Sequence, residues 1–231
     1  MSVPSTLKVL ITRPDEEAII TQNLLRQRDI VSDKQEFLTI HHQDCAINVK
    51  NYAALIFTSR QAVRSFVRSN NILADMPVFC VGEATAILCR DEGFREIYCA
   101  NGTVADLQAL LNKESFARNI LYVCGRDIAT LLVHPQLEEV VVYYAEQVKE
   151  VDGAIEEALL QQQYSHILFY SVRTAQAFCD YIRFTNEENI LNQTKALCLA
   201  PSMVKFLSVL PWGDIQVAKA PNQNALLELF D

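Results

Sequence analysis

Apolar runs that end at a serine and then switch to helical spacing occur twice along the chain. They lie at Ala54 to Phe66 (ALIFTSRQAVRSF) and His166 to Phe178 (HILFYSVRTAQAF), with Ser59 and Ser171 in matching places. In each copy the run (Leu55, Ile56 and Phe57; Ile167, Leu168 and Phe169) predicts a buried strand. The spacing beyond it sets Val63, Phe66 and Val67, or Ala175, Phe178 and Cys179, on one helix face. Strand feeding helix is the unit of an α/β sheet. In such sheets ligands bind at the carboxyl ends of strands, where the first amides of the next helix are unpaired donors that favour anions. Helix capping by itself explains a serine in that place; the repetition is more informative than either serine.

The remaining pattern continues the alternation. Lys8 to Thr12 predicts a buried strand and Asp15 to Arg28 an amphipathic helix with Ala18, Ile20, Leu24 and Leu25 turned inward. Val31 to Gln43 reads as a solvated connector, and its His41-His42 pair is a poor bidentate metal site because neighbours on a strand point to opposite faces. Strands follow at Val78 to Val81, Ile97 to Ala100 and Asn119 to Cys124. Helices are expected after Gly82, stopping at Gly93, and through Leu107, Leu110 and Leu111. Gly125-Arg126-Asp127 predicts the opening of a short helix carrying Ile128, Leu131 and Leu132. Val140 to Tyr144, strongly β-prone and followed by charge, reads as a strand that leaves one domain rather than a core strand. Later come a helix over Asp152 to Gln162, a strand at Ala196 to Leu199, a turn at Ala200-Pro201-Ser202, a helix from Met203 to Leu210, a strand at Ile215 to Ala218 and a last helix at Asn224 to Phe230. VFCVGEATAIL matches ALCLAPSMVKF, EIYCAN matches DIQVAK, and KVLITRP matches NILYVCG, so the chain holds two copies of one α/β unit.

Composition narrows what such a protein does. With 231 residues, 50% of them hydrophobic, there is ample material for two cores. A formal charge of -8 argues against a nucleic-acid footprint, so an anionic ligand would need local donors. Seven cysteines without a C-x-x-C pair read as buried thiols in a reducing compartment. No apolar stretch approaches membrane-span length and the run before Arg13 is short for a secretory signal, so a soluble cytoplasmic protein with no membrane partner is expected. Dinucleotide, P-loop, nucleophile-elbow and zinc spacings are all missing, which removes most support for a cofactor or a metal. Arg60, Arg64 and Arg68 form a stripe on one predicted helix, ordinarily a solvated face, from which only Arg60 reaches a strand end. Arg13, at the end of the first strand, offers a fork that suits a carboxylate; the plain alternative is a surface arginine paired with Asp15 or Glu16. The residues alone thus point to a polyanionic small molecule.

The set VLITRP (9 to 14), IFTSRQAV (56 to 63), VGEATA (81 to 86), ILYVCG (120 to 125), VVYY (141 to 144), LFYS (168 to 171) and the Ala200-Pro201-Ser202 turn resembles the uroporphyrinogen-III synthase family over nearly the whole chain. The resemblance implies two similar flavodoxin-like α/β lobes with parallel sheets, joined by a two-stranded antiparallel linker. Lobe 1 would comprise residues 1–35 and 149–231, lobe 2 residues 44–138, and the linker strands 36–43 and 139–148; two narrow connectors make lobe motion the default. It also implies a monomer that needs no cofactor and acts on hydroxymethylbilane, a linear tetrapyrrole bearing acetate and propionate groups. That substrate is closed to uroporphyrinogen III with ring D inverted. By position, Tyr143 matches the linker tyrosine that hydrogen-bonds the departing hydroxyl, and Thr58, Ser59, Gly82, Thr85, Gly125, Ser171 and Ser202 match cleft positions that hold carboxylates. The chain departs from the family pattern at Ser171-Val172, where Ser-Pro is frequent, and at Ser202-Met203, where a threonine pair follows Gly-Pro. The competing reading is a two-lobed, non-catalytic binding protein for an anionic small molecule.

Overall fold

A computed structural model describes residues 7–128 and 131–230, with the backbone alone at 15 and 16. Its elements in chain order are β1 (Lys8–Ile11), α1 (Asp15–Arg26), β2 (Val31–Lys34), β3 (Leu38–His42), β4 (Ala54–Phe57), α2 (Arg60–Ser69), β5 (Val78–Cys80), α3 (Glu83–Asp91), β6 (Ile97–Cys99), α4 (Val104–Leu111), β7 (Ile120–Gly125), β8 (Leu137–Gln147), α5 (Gly153–Leu160), β9 (His166–Phe169), α6 (Val172–Thr185), β10 (Lys195–Cys198), α7 (Val204–Leu207), β11 (Asp214–Val217) and α8 (Gln223–Leu227). Two compact units result: unit 1 takes residues up to Thr39 and from Gln147 onward, and unit 2 takes Ile40–Glu146.

The apolar runs become central strands because a parallel sheet is covered on both faces, which only continuous hydrophobic strands satisfy. In unit 1 the strand order is β11-β10-β9-β1-β2, parallel throughout. Leu10, Ile167 and Phe169 pack with α5, α6 and α7 on one face. Val9, Ile11 and Leu168 pack with α1 and α8 on the other. Unit 2 repeats the plan with the order β3-β8-β7-β4-β5-β6. There Leu55, Phe57, Leu121 and Val123 meet α2 and α3, while Ala54, Ile56, Ile120 and Tyr122 meet α4. Its sheet is mixed: β8 runs parallel to β7, but β3 is antiparallel to β8. Gln43 N–H donates to Val142 O at 2.8 Å and Val148 N–H to Phe37 O at 3.1 Å along that pair.

Each sheet therefore has one place where the strand order reverses. In unit 1 it lies between β1 and β9, in unit 2 between β7 and β4. The helices and loops leaving adjacent strands there go to opposite faces and leave a crevice outside the strand ends.

Several expectations change. Val31 to Lys34 is an edge strand paired with β1, not connector; its VSDK sequence lacks apolar alternation because an edge strand is only half covered. Similarly, Val140 to Tyr144 belongs to an eleven-residue strand whose first half is an interior strand of unit 2, with Val142 buried although Glu138 and Glu139 face solvent. The helix expected to open at Gly125 falls partly on Ala129 and Thr130, outside the described residues; the described positions beside them, 126–128 and 131–136, hold no helix.

Candidate active site

In unit 2 the reversal is built from β4, β7 and β8. Phe57 ends β4, the backbone stays extended through Ser59 (φ -149, ψ 151), and α2 begins. Ser59 Oγ accepts from the Ala62 N–H at 3.1 Å, capping that helix, and the same oxygen lies 3.1 Å from the Tyr143 hydroxyl. Tyr143 reaches it because the β7–β8 ladder slips between Cys124 and Gly125, which brings Tyr143 opposite Gly125. A Cβ on Gly125 would stand 2.6 Å from Tyr143 Cζ and 2.9 Å from its Oη, so the ring occupies space that a glycine alone leaves open. Next to this pair, Thr58 Oγ1 and Tyr122 Oη are 2.8 Å apart. Burial pushes the Tyr122 phenol up to about 12, with the Thr58 hydrogen bond opposing, so this contact joins two neutral hydroxyls. Tyr144 takes other partners: its ring stacks on His41 at 4.8 Å and carries the Arg126 guanidinium at 4.7 Å.

Unit 1 has the same frame with different contents. Ser171 (φ -148, ψ 151) caps α6, accepting from the Thr174 N–H at 3.1 Å, and its Oγ lies 2.8 Å from Thr174 Oγ1. Arg13 turns inward and is only 7% exposed. Its Nη2 donates to Glu17 Oε2 at 2.7 Å and its Nε to the same oxygen at 3.2 Å, while Nη1 donates to Gln223 Oε1 at 2.5 Å. The guanidinium also sits 4.0 Å from the centre of the Tyr170 ring.

At the other strand ends, Gly82 starts α3 and its carbonyl accepts from Thr85 and Ala86, each at 3.1 Å. Thr85 itself is buried in that helix, whereas Ser202 is exposed in a short 3-10 turn, Pro201–Met203, after β10. Among the described residues no group of His, Cys, Asp and Glu side chains is placed to hold a metal ion.

A family model described as "Uroporphyrinogen-III synthase HemD" matches residues 29–228. The chain belongs to the uroporphyrinogen-III synthase family. Solved structures agree on the fold. One is the uroporphyrinogen-III synthetase of Helicobacter pylori, with TM-score 0.65 and 20% identity over 97% of this chain and 98% of that one. Another is a mutant uroporphyrinogen III synthase from the extremely thermophilic bacterium Thermus thermophilus, with TM-score 0.58 and 13% identity over 97% of each chain. Among curated proteins none matches in sequence. Family membership makes this chain a cyclising lyase that converts hydroxymethylbilane to uroporphyrinogen III with inversion of ring D and loss of water.

Set against that activity, the positions expected to bind substrate divide by environment. Arg13 turns its donors to Glu17 and Gln223 inside unit 1. The Thr85 side chain is buried, and the Tyr143 ring stands over Gly125. Thr58 and Ser59 have protein partners but keep partial exposure; Gly82, Ser171 and Ser202 also reach solvent. Sequence reading overlooked Tyr122, Glu17 and Gln223. Glu17 was the most legible of these, since it stands four residues after Arg13 in the first turn of α1; Gln223 meets Arg13 only through the fold.

Proposed function

We propose that Tyr143 is the group that assists departure of the hydroxyl from hydroxymethylbilane. The observation that supports this reading is a phenol at the strand-order reversal of unit 2, seated on a glycine and tied to the serine that starts α2. A phenol O–H can donate a hydrogen bond to a leaving oxygen. Departure of that hydroxyl produces an azafulvene. Attack by the substituted carbon of ring D forms a spiro intermediate; that carbon's original bond to its methylene bridge then breaks, and the freed bridge re-closes on the other α-carbon of ring D, which loses its proton, so that the ring is inverted. Free hydroxymethylbilane closes uninverted, so the protein's main task is to hold one folded geometry of the substrate.

Substrate carboxylates would be met by the strand-end donors that reach solvent: Thr58 and the backbone around Gly82 in unit 2, and Ser171 and Ser202 in unit 1, together with the first-turn amides of the helices they precede. The same reading makes the protein a monomer of the reducing cytoplasm that binds no nucleic acid. Its seven cysteines are all free, its formal charge is -8, and no described helix is long and apolar enough to cross a membrane.

Freshly prepared hydroxymethylbilane is the decisive reagent. Tyr143→Phe should fold normally, lose about tenfold to a hundredfold in turnover, as expected for one hydrogen bond to a group developing charge, and give a mixture richer in the type I isomer. Wild-type turnover in that variant would remove Tyr143 from the chemistry.

A further inference from the structure

We infer that Ser59 is a positioning residue that donates its hydroxyl proton to Tyr143 and thereby leaves the phenolic proton free for the substrate; this rests on the proposed role of Tyr143. A hydroxyl has one proton and two acceptor lone pairs. Ser59 Oγ accepts from the Ala62 N–H at 3.1 Å, so one lone pair is occupied, and its nearest other partner is the Tyr143 oxygen, also at 3.1 Å. If Tyr143 were the donor in that contact, its single proton would be directed into the protein and away from any leaving group. With Ser59 as donor the hydrogen bonds run in one direction, from the Ala62 amide through Ser59 to Tyr143 and outward.

The corresponding serine of unit 1 shows why this depends on one neighbouring residue. Ser171 Oγ also accepts a helix amide, from Thr174 at 3.1 Å, but the Thr174 hydroxyl lies 2.8 Å away and gives it a local partner. In the repeat, HILFYSVRT aligns with ALIFTSRQA, so Ala62 stands where Thr174 does and has no hydroxyl to offer. Ser59 is therefore left with Tyr143. Gly125 completes the seat: a methyl group there would meet Tyr143 Cζ at 2.6 Å and its Oη at 2.9 Å, so the phenol keeps its place only above a glycine.

Two readouts on the full-length chain separate this inference from the reading it rests on. The first is the 19F resonance of 3-fluorotyrosine installed at position 143, which senses the phenol's hydrogen bond whether or not the phenol takes part in catalysis. It should move on Ser59→Ala and return in Ser59→Thr, which keeps both cap and donor; an unmoved resonance overturns the inference. The second is a double-mutant cycle on turnover of hydroxymethylbilane. Ser59→Ala should lower kcat about threefold to tenfold in the wild-type background and cause no further loss in Tyr143→Phe, with Ser59→Thr restoring the wild-type rate. A loss of the same size in both backgrounds overturns the inference, because Ser59 would then act on the substrate directly. If the resonance moves while Tyr143→Phe turns over normally, the hydrogen bond stands, and the catalytic part of the inference falls with the role of Tyr143.

Discussion

At the strand-order reversal of unit 1 Arg13, two residues beyond β1, bends into the unit and is held by Glu17, Gln223 and the Tyr170 ring. At the same place in unit 2, Cys124 and Gly125 have no long polar side chain, and a phenol from β8 fills the space instead. The repeat makes these positions equivalent: β1 pairs with β9 as β7 pairs with β4, so Arg13 corresponds to Cys124, Pro14 to Gly125 and Tyr170 to Thr58. One copy has thus used its crevice for a buried ion pair, which serves stability. The other holds a hydroxyl at its edge, the proposed donor to the leaving group. The backbone plan tolerates both because β strands and helix starts are fixed by hydrophobic burial and capping, neither of which depends on what occupies the crevice.

The largest expected effect is on the ion pair. Both side chains of the Arg13–Glu17 pair are less than a tenth exposed, and removing one member of a buried pair costs about 3 to 5 kcal/mol because the other is left uncompensated. Glu17→Ala should lower the urea midpoint accordingly, whereas the double change Arg13→Met with Glu17→Leu should recover most of the loss. Unchanged stability in Glu17→Ala together with a raised KM would instead favour Arg13 as a fork for substrate carboxylates.

Gly125→Ala comes next. The added methyl collides with the Tyr143 ring, so turnover should fall at least as far as in Tyr143→Phe, about tenfold or more. Tyr144→Phe is the control, because its ring contacts with His41 and Arg126 do not need the hydroxyl. Steady-state turnover with both variants checks the register of β8 directly: damage from Tyr144→Phe and none from Gly125→Ala would contradict the seat described for Tyr143.

The two serine caps should be matched in stability and unmatched in catalysis. Ser59→Ala and Ser171→Ala each remove an N-cap, worth about 1 kcal/mol, so calorimetry should register similar losses. Ser59→Ala should act on kcat, and Ser171→Ala, with no phenol attached, on KM. Equal shifts in kcat would erase the difference between the two copies.

The smallest expected effect separates the strands themselves. His166 starts β9 where Ala54 starts β4, and it is buried. Burial, and secondarily the Lys195 charge, lower its pKa below the ordinary value of 6.5. The unfolded chain therefore takes up this proton first as pH falls, so the group costs stability from about pH 6.5 downward, and the loss stops growing once pH is below the folded-state pKa. A melting temperature that declines between about pH 7.5 and 5.5, with a shallower decline in His166→Asn, is the expected result. An identical slope in the variant would assign the acid sensitivity elsewhere; His42 is the next group to examine, its pKa being lowered by burial and by Arg68 and Arg64.

Much of this arrangement was open to reading from residues. The strands ALIF and HILF, their serine caps, the glycine that ends β7 and the tyrosines of VVVYY all follow from local rules of burial, capping and alternation, which act within a few residues. Edge strand β2 escaped because its VSDK sequence is polar, and β8 was read only as a connector because its exposed glutamates mask a buried face. The partners of Arg13 are hidden for another reason: a side chain at a strand end looks the same in sequence whether it turns outward or inward.

The chain by itself determined that there are two α/β units, where each buried strand ends, and that a serine starts the helix after the repeated strand in both. Tertiary structure decided which of those serines has a phenol for a partner, and why Gly125 must lack a side chain. It also decided that Arg13 belongs to a buried network. These outcomes depend on contacts such as Arg13 with Gln223, and Ser59 with Tyr143, between residues 210 and 84 positions apart. No local pattern specifies such pairs, because a side chain's partner is set by which strands become neighbours and by the register they adopt.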